Sequence, residues 1–262
     1  MFQAIQSLRN KLQDGGCVFG SFVFSRDASV TEAYGDAGFD FVVIDMEHAL
    51  NDMGTTLQHI RVCEARGLAS IVRVADHMVG DVPRLLDAGA GGIMLPHVGM
   101  PGSQAGKALD TFQYPPAGAR PTCTGIRANA YGLATFSRYV EEANRSSFGI
   151  GLVEDSMAVD AVDALAGDAR LDCLMPGPGD LASSLGVHGN LVHPLVQRAV
   201  DKVIASAVAR GRIAGMYVNQ ASEVPLWYAK GARLFVYSID SKILARTLAD
   251  AISACRSAVQ PA

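Results

Sequence analysis

Residues 66–97 read RGLASIVRVADHMVGDVPRLLDAGAGGIMLPH. Two short apolar runs, Ser70–Val74 and Gly92–Pro96, flank a stretch, Val82–Gly89, whose apolar residues recur at helical spacing. Neither run alternates apolar with polar residues, as a strand with one wet face would. Strands that are apolar on both faces are buried on both, which points to a parallel sheet covered by helices. Gly67 and Gly89 stand where helices stop just before each strand, and glycine tolerates the left-handed backbone that closes a helix. The cluster Gly89-Ala90-Gly91-Gly92 follows a helix and precedes a strand, the wrong side for a phosphate-binding turn.

The same unit repeats on both sides. Further strand-like runs are Val18–Phe24, Phe39–Asp45, Phe148–Glu154, Leu171–Met175, Ile213–Val218 and Leu234–Ile239. Helical segments lie at Gly54–Gly67, Ala158–Gly167, Pro194–Gly211 and Ser241–Val259, and glycines at 38, 211 and 231 repeat the helix-stop signal. Eight strand–helix units in about 250 residues predict one (β/α)8 barrel across 1–262. The alternative is a doubly wound open sheet with a strand or two misassigned. It is disfavoured because no G-x-G-x-x-G follows the first strand.

Composition narrows the function. The 262 residues are 49% hydrophobic and 18% charged, with a net charge of −4. No basic block argues for nucleic acid. The first residues, MFQAIQSLRNKLQDGG, place Phe2, Ile5, Leu8 and Leu12 at helical spacing and lack the apolar core of a signal peptide. No apolar run approaches the roughly 20 residues that span a bilayer, so the cytoplasm is the default location. The five cysteines are scattered, odd in number and without C-x-x-C, as expected of reduced thiols.

In such a barrel, chemistry sits at the C-terminal ends of the strands. There the sequence places Asp45, Glu47 and His48 after strand two and Arg73 in strand three. His97 follows strand four, Glu154 and Asp155 strand five, Asp180 strand six, Tyr217 and Asn219 strand seven, and Ser238 and Asp240 strand eight. Carboxylates on neighbouring strand ends repel one another unless a cation lies among them. Oxygen donors favour Mg2+ or Mn2+ over zinc. Glu154 and Asp180 are the candidate ligands; the plainer alternatives are that Glu154 caps the next helix and Asp180 is an N-cap. Arg73 lies in an otherwise apolar strand and needs a partner, either an anion at the mouth or Asp45 and Glu47. The other histidines, His97 among them, do not cluster and read as structural or surface residues. No lysine lies within a strand end, which disfavours a Schiff-base route.

One segment breaks the rhythm. Tyr114–Asn144 is rich in Pro, Gly, Arg and Tyr, and a loop this long is usually functional or disordered. Two roles are open to its Arg120 and Arg127: binding an anionic substrate, or bridging to a neighbouring subunit.

Six stretches together, FDFVVIDMEHALND (39–52), IVRV (71–74), LLDAGAGGIMLPHV (85–98), YPPAGAR (114–120), LVED (152–155) and MPGPGDLASSLG (175–186), resemble the HpcH/HpaI aldolases, metal-dependent class II pyruvate aldolases. The likeness runs over about residues 5 to 255. It implies a (β/α)8 barrel and a homo-oligomer, a hexamer, whose last helix packs on a neighbour. It implies Mg2+, Mn2+ or Co2+ held by Glu154 and Asp180, with His48 as general acid/base through a water and Asp45 orienting that histidine. By the same resemblance Arg73 binds the keto oxygen and stabilises an enolate. Backbone N–H groups of Gly179 and Asp180 hold the substrate carboxylate, and Asp87 lies at a subunit interface near the site. The reaction implied is cleavage or formation of a 4-hydroxy-2-oxo acid through pyruvate enolate, with an aldehyde as partner.

The chain departs from the family pattern at Pro121, at Thr122–Gly125, at Met216-Tyr217 and in VYSID (236–240). These positions bear on the acceptor, with Tyr217 expected in the substrate pocket. A condensing synthase is therefore the alternative, because the family resembles a siderophore-pathway citrate synthase that joins oxaloacetate to acetyl-CoA.

Overall fold

The structure, a computed structural model, describes residues 2–259. Eight parallel strands close into a barrel in sequence order, β1-β2-β3-β4-β5-β6-β7-β8. They are β1 Val18–Val23, β2 Phe41–Asp45, β3 Ala69–Arg73, β4 Gly92–Leu95, β5 Phe148–Val153, β6 Cys173–Pro176, β7 Ile213–Val218 and β8 Ala232–Ile239. Each lies within three residues of its predicted bounds. The open-sheet alternative is excluded because β1 pairs with β8 as well as with β2.

The helices are α1 Gln3–Gln13, α2 Ser29–Asp36, α3 Met53–Arg66, α4 Val82–Ala88, α5 Ala105–Asp110 and α6 Phe136–Ser146. They continue with α7 Ser156–Asp160, α8 Val162–Gly167, α9 Pro178–Ser184, α10 Pro194–Ala209, α11 Val224–Ala229 and α12 Asp240–Ala258. The five glycines read as helix stops all take positive φ, between 68° and 104°. No helix among the described residues is long and apolar enough to cross a membrane.

Two apolar layers explain the non-alternating strands. Odd positions of β2, Phe41 and Val43, point into the barrel with Ile71, Met94, Ile150, Met175, Leu234 and Val236. Even positions, Val42 and Ile44, pack under the helices with Val72, Ile93, Leu95 and Phe235. Helix α1 turns Ile5, Leu8 and Leu12 onto the inner layer and covers the N-terminal end of the barrel. Gly20 of β1 leaves the room that the Phe41 ring fills, since a Cβ there would stand 2.3 Å from it.

The Tyr114–Asn144 segment is more ordered than its composition suggests. It holds a 3-10 turn at Arg127–Gly132, with left-handed Ala130 and Tyr131, and then most of α6. Tyr114, Phe136 and Tyr139 pack their rings together there.

Candidate active site

Alternation along each strand decides which side chains reach the barrel mouth. The inward row of β2 (41, 43) continues to Asp45, that of β3 (69, 71) to Arg73, and that of β5 (148, 150, 152) to Glu154. The same parity carries β6 (173, 175) to Gly177 and β7 to Tyr217. The candidate site residues form the top layer of the stack that builds the core.

Asp45 and Arg73 are register partners on adjacent strands. Both are buried. Arg73 Nε donates to Asp45 Oδ2 at 2.9 Å, and Arg73 Nη2 donates to the same oxygen. The other oxygen of Asp45 accepts the backbone N–H groups of Glu47 at 2.7 Å and His48 at 2.9 Å. Asp45 thus meets His48 through its amide, not its ring. Arg73 Nη1 lies 3.4 Å from Glu47 Oε2, and its guanidinium stacks 4.5 Å from the centre of the Phe22 ring. Of the partners open to Arg73 in the sequence, the fold supplies both carboxylates. Burial pushes the Glu47 carboxyl above its ordinary range, and the Arg73 charge works against that rise. The His48 side chain is 61% exposed, with Nε2 3.7 Å from Glu47 Oε2.

Glu154 is only 6% exposed. Its Oε2 accepts the His97 backbone N–H at 3.1 Å and lies 3.3 Å from His97 Nδ1. Burial pushes its carboxyl up to about 7; the His97 N–H works against this, and the charges of Asp180 and Glu47 add to it. Glu154 does not cap the following helix, because Asp155 accepts from Met157 N–H instead. Asp180 is not an N-cap either. It sits in the first turn of α9, whose cap position is Gly177. The amides of Gly179 and Asp180 belong to that first turn, where a helix leaves N–H groups without internal partners.

Asp45, Glu47, Glu154, Asp180 and Arg73 share this end of the barrel, and these five groups sum to −3 if all are ionised. A buried carboxylate whose ionised form is disfavoured by burial and by neighbouring acids is a fit place for a divalent cation. Among the described residues, no three His, Cys, Asp or Glu side chains are arranged to hold an ion by themselves. A cation held by Glu154 and Asp180 would need substrate and water to complete its shell.

Tyr217 lies 6.2 Å from Phe22, ring to ring, and its hydroxyl donates to Asn219 Oδ1 at 3.0 Å. Lys242 Nζ stands 3.5 Å from that hydroxyl, a cation near the mouth that strand ends alone did not reveal because it belongs to α12. Asp240 accepts from the N–H groups of Phe24 and Ser25, fixing the loop after β1.

Arg120 and Arg127 are not brought to this mouth. Arg120 is buried, donating to Asp87 at 2.6 Å and to the Tyr139 hydroxyl at 3.1 Å, above the Tyr114 ring. Arg127 pairs with Glu64 and donates to the Ala88 carbonyl at 2.9 Å. Of these partners, Glu64, Asp87 and Ala88 lie in the last turns of α3 and α4. Helices run against the strands, so their C-terminal ends sit at the opposite end of the barrel. The segment's composition signalled two arginines but not the side of the barrel they serve.

His97 is the neighbour of Glu154 that the sequence did not single out. It lacks clustered neighbours in sequence, yet the fold sets it against Glu154.

The model of the HpcH/HpaI aldolase/citrate lyase family matches residues 19–247. The hydroxypyruvate/pyruvate aldolase of Paraburkholderia phytofirmans is 32% identical over 256 residues, covering 95% of this chain and 97% of that one. The crystal structure of an HpcH/HpaI aldolase/citrate lyase family protein from Burkholderia cenocepacia is 33% identical, with a TM-score of 0.88 over 95% of this chain and 99% of that chain. The citrate synthase SbnG is 28% identical, with a TM-score of 0.85 over 95% of this chain and 97% of that chain. With a matching model over residues 19–247 and a relative 32% identical over 95% of the chain, the chain belongs to the HpcH/HpaI aldolase/citrate lyase family.

Proposed function

We propose that this protein is a divalent-metal-dependent carbon–carbon lyase that cleaves or forms 4-hydroxy-2-oxo acids through a pyruvate enolate. The observation that carries the reading is the buried Asp45–Arg73 pair at the same barrel end as a buried Glu154, whose carboxyl is pushed up in part by the charge of Asp180. Glu154 and Asp180 would hold Mg2+, Mn2+ or Co2+, which when bound draws electron density from the keto and carboxylate oxygens of the 2-oxo acid.

The chain's own groups do the rest. Arg73, fixed by Asp45 and Phe22, presents its guanidinium where negative charge develops on the C2 oxygen. The amides of Gly179 and Asp180 bind the substrate carboxylate. His48, exposed at the mouth, takes the C4 hydroxyl proton through a water. The C3–C4 bond then breaks, its electrons pass to the C2 oxygen, and the aldehyde leaves. Protonation at C3 gives pyruvate. Tyr217 lines the acceptor side. The C-terminal helix α12, which leaves Leu244, Leu248 and Ile252 exposed, joins copies of the chain into a homo-oligomer, and Asp87 with Arg120 serves an interface rather than its own mouth.

Pyruvate release from a panel of 4-hydroxy-2-oxo acids, with added Mg2+, Mn2+ or Co2+ and with full chelation, tests this. Undiminished turnover under chelation rules out the metal-dependent route. The likeness to the citrate synthase SbnG supports a second reading, condensation of oxaloacetate with a thioester. Citrate formed from oxaloacetate and acetyl-CoA, without aldol cleavage, would favour it.

A further inference from the structure

His97 stands where strand geometry alone would not put it. In β4 Met94 belongs to the inner layer, while Ile93 and Leu95 belong to the outer one. A strand continued past Leu95 sends residue 97 outward, away from the mouth. Instead His97 takes φ of 52°, a left-handed conformation that disfavours residues with a Cβ. The turn brings its N–H to 3.1 Å and its Nδ1 to 3.3 Å from the same atom, Glu154 Oε2.

The end of β6 comes close to that carboxylate as well. A Cβ on Gly177 would lie 2.6 Å from Glu154 Cγ and 2.9 Å from Oε1. The head of Glu154 thus meets the end of β4 through Oε2, and on the β6 side lies in space that only a glycine at 177 leaves free. Among the described residues, the hydrogen bond to this carboxylate comes from His97. Other charges around it, Asp180 and Glu47, are acidic and repel it.

We propose that His97 is a positioning residue, whose imidazole and amide together fix Glu154 Oε2 so that the carboxylate meets the divalent cation in a single orientation. The inference rests on the assignment of Glu154 as a metal ligand. Outer partners of metal ligands commonly account for 10- to 100-fold in metal affinity.

Three substitutions separate the turn from the ring. His97→Gly keeps the left-handed turn and the N–H donor but removes the imidazole. His97→Asn tolerates the turn and carries a side-chain N–H near the place of Nδ1. His97→Ala loses the ring and retains the strain. Mn2+ affinity of the full chain, measured by the EPR signal of free Mn2+, is the readout, counting only binding that Glu154→Gln removes. The expected result is a Kd raised about tenfold or more in His97→Gly and His97→Ala, and a Kd close to wild type in His97→Asn. A wild-type Kd in His97→Gly overturns the proposal, as does a Kd in His97→Asn as weak as in His97→Gly. Wild-type protein that binds no Mn2+ overturns the metal assignment itself, and this proposal with it.

Discussion

Arg73 stands directly across from Asp45 in the β2–β3 register, and two of its nitrogens converge on one carboxylate oxygen. A lysine has one nitrogen and no plane to lay on Phe22. Arg73→Lys is expected to keep the fold and lower kcat by about 100-fold or more, the usual loss when a donor to a developing oxyanion is removed. Steady-state rates beside a melting curve check this, and wild-type kcat in the lysine variant refutes the role. Asp45→Ala strands a buried guanidinium and frees the amides of Glu47 and His48. It is expected to destabilise by about 3–5 kcal/mol.

Glu154 gives a pH signature in the metal-free protein. Its folded carboxyl, at about 7, lies above the ordinary 4.5, so folding favours the protonated form. The associated stability is fully present below about pH 4.5 and is lost as pH rises through 7. With chelator present, wild type should lose up to about 3 kcal/mol relative to Glu154→Gln between pH 5 and 8. Melting temperatures of the two proteins across that range provide the measurement. A constant gap between them contradicts the assignment.

Gly177→Ala places a methyl group 2.6 Å from Glu154 Cγ, well inside contact. The carboxylate must move. Mn2+ affinity should fall about tenfold, with a stability change of about 1–3 kcal/mol. Titration calorimetry with Mn2+ reads the first and thermal melting the second. Unchanged affinity would mean that the room Gly177 leaves for Glu154 does not matter.

Arg120 separates structural from substrate roles. Arg120→Ala deletes its bonds to Asp87 and Tyr139 and its stacking on Tyr114. A loss of about 2–3 kcal/mol is expected, because hydrogen bonds to charged groups are among the stronger ones. A raised KM with unchanged melting temperature would instead put the guanidinium on the substrate.

Helix α12 tests the assembly. Leu244, Leu248 and Ile252 recur every fourth residue and are exposed. Leu248→Glu should dissociate the homo-oligomer to smaller species by light scattering. An unchanged mass shows that the interface lies elsewhere.

Much of this was legible in the sequence, for a local reason. Apolar runs without alternation, glycines at helix stops and the count of eight units are properties of short segments, and they determined a parallel barrel and its strand ends. Because alternation is fixed by the backbone, Asp45, Arg73 and Glu154 followed as neighbours of inward-facing core residues. What only the tertiary structure decided depends on contacts between distant segments. The sequence showed Arg120 and Arg127 in an irregular stretch; their bonds to the last turns of α3 and α4 took them to the far end of the barrel. It showed Asp45 beside His48; the fold joined them through a backbone amide. His97 looked solitary because its partner lies 57 residues away. A single left-handed turn, which apolar patterning cannot encode, sets it against Glu154.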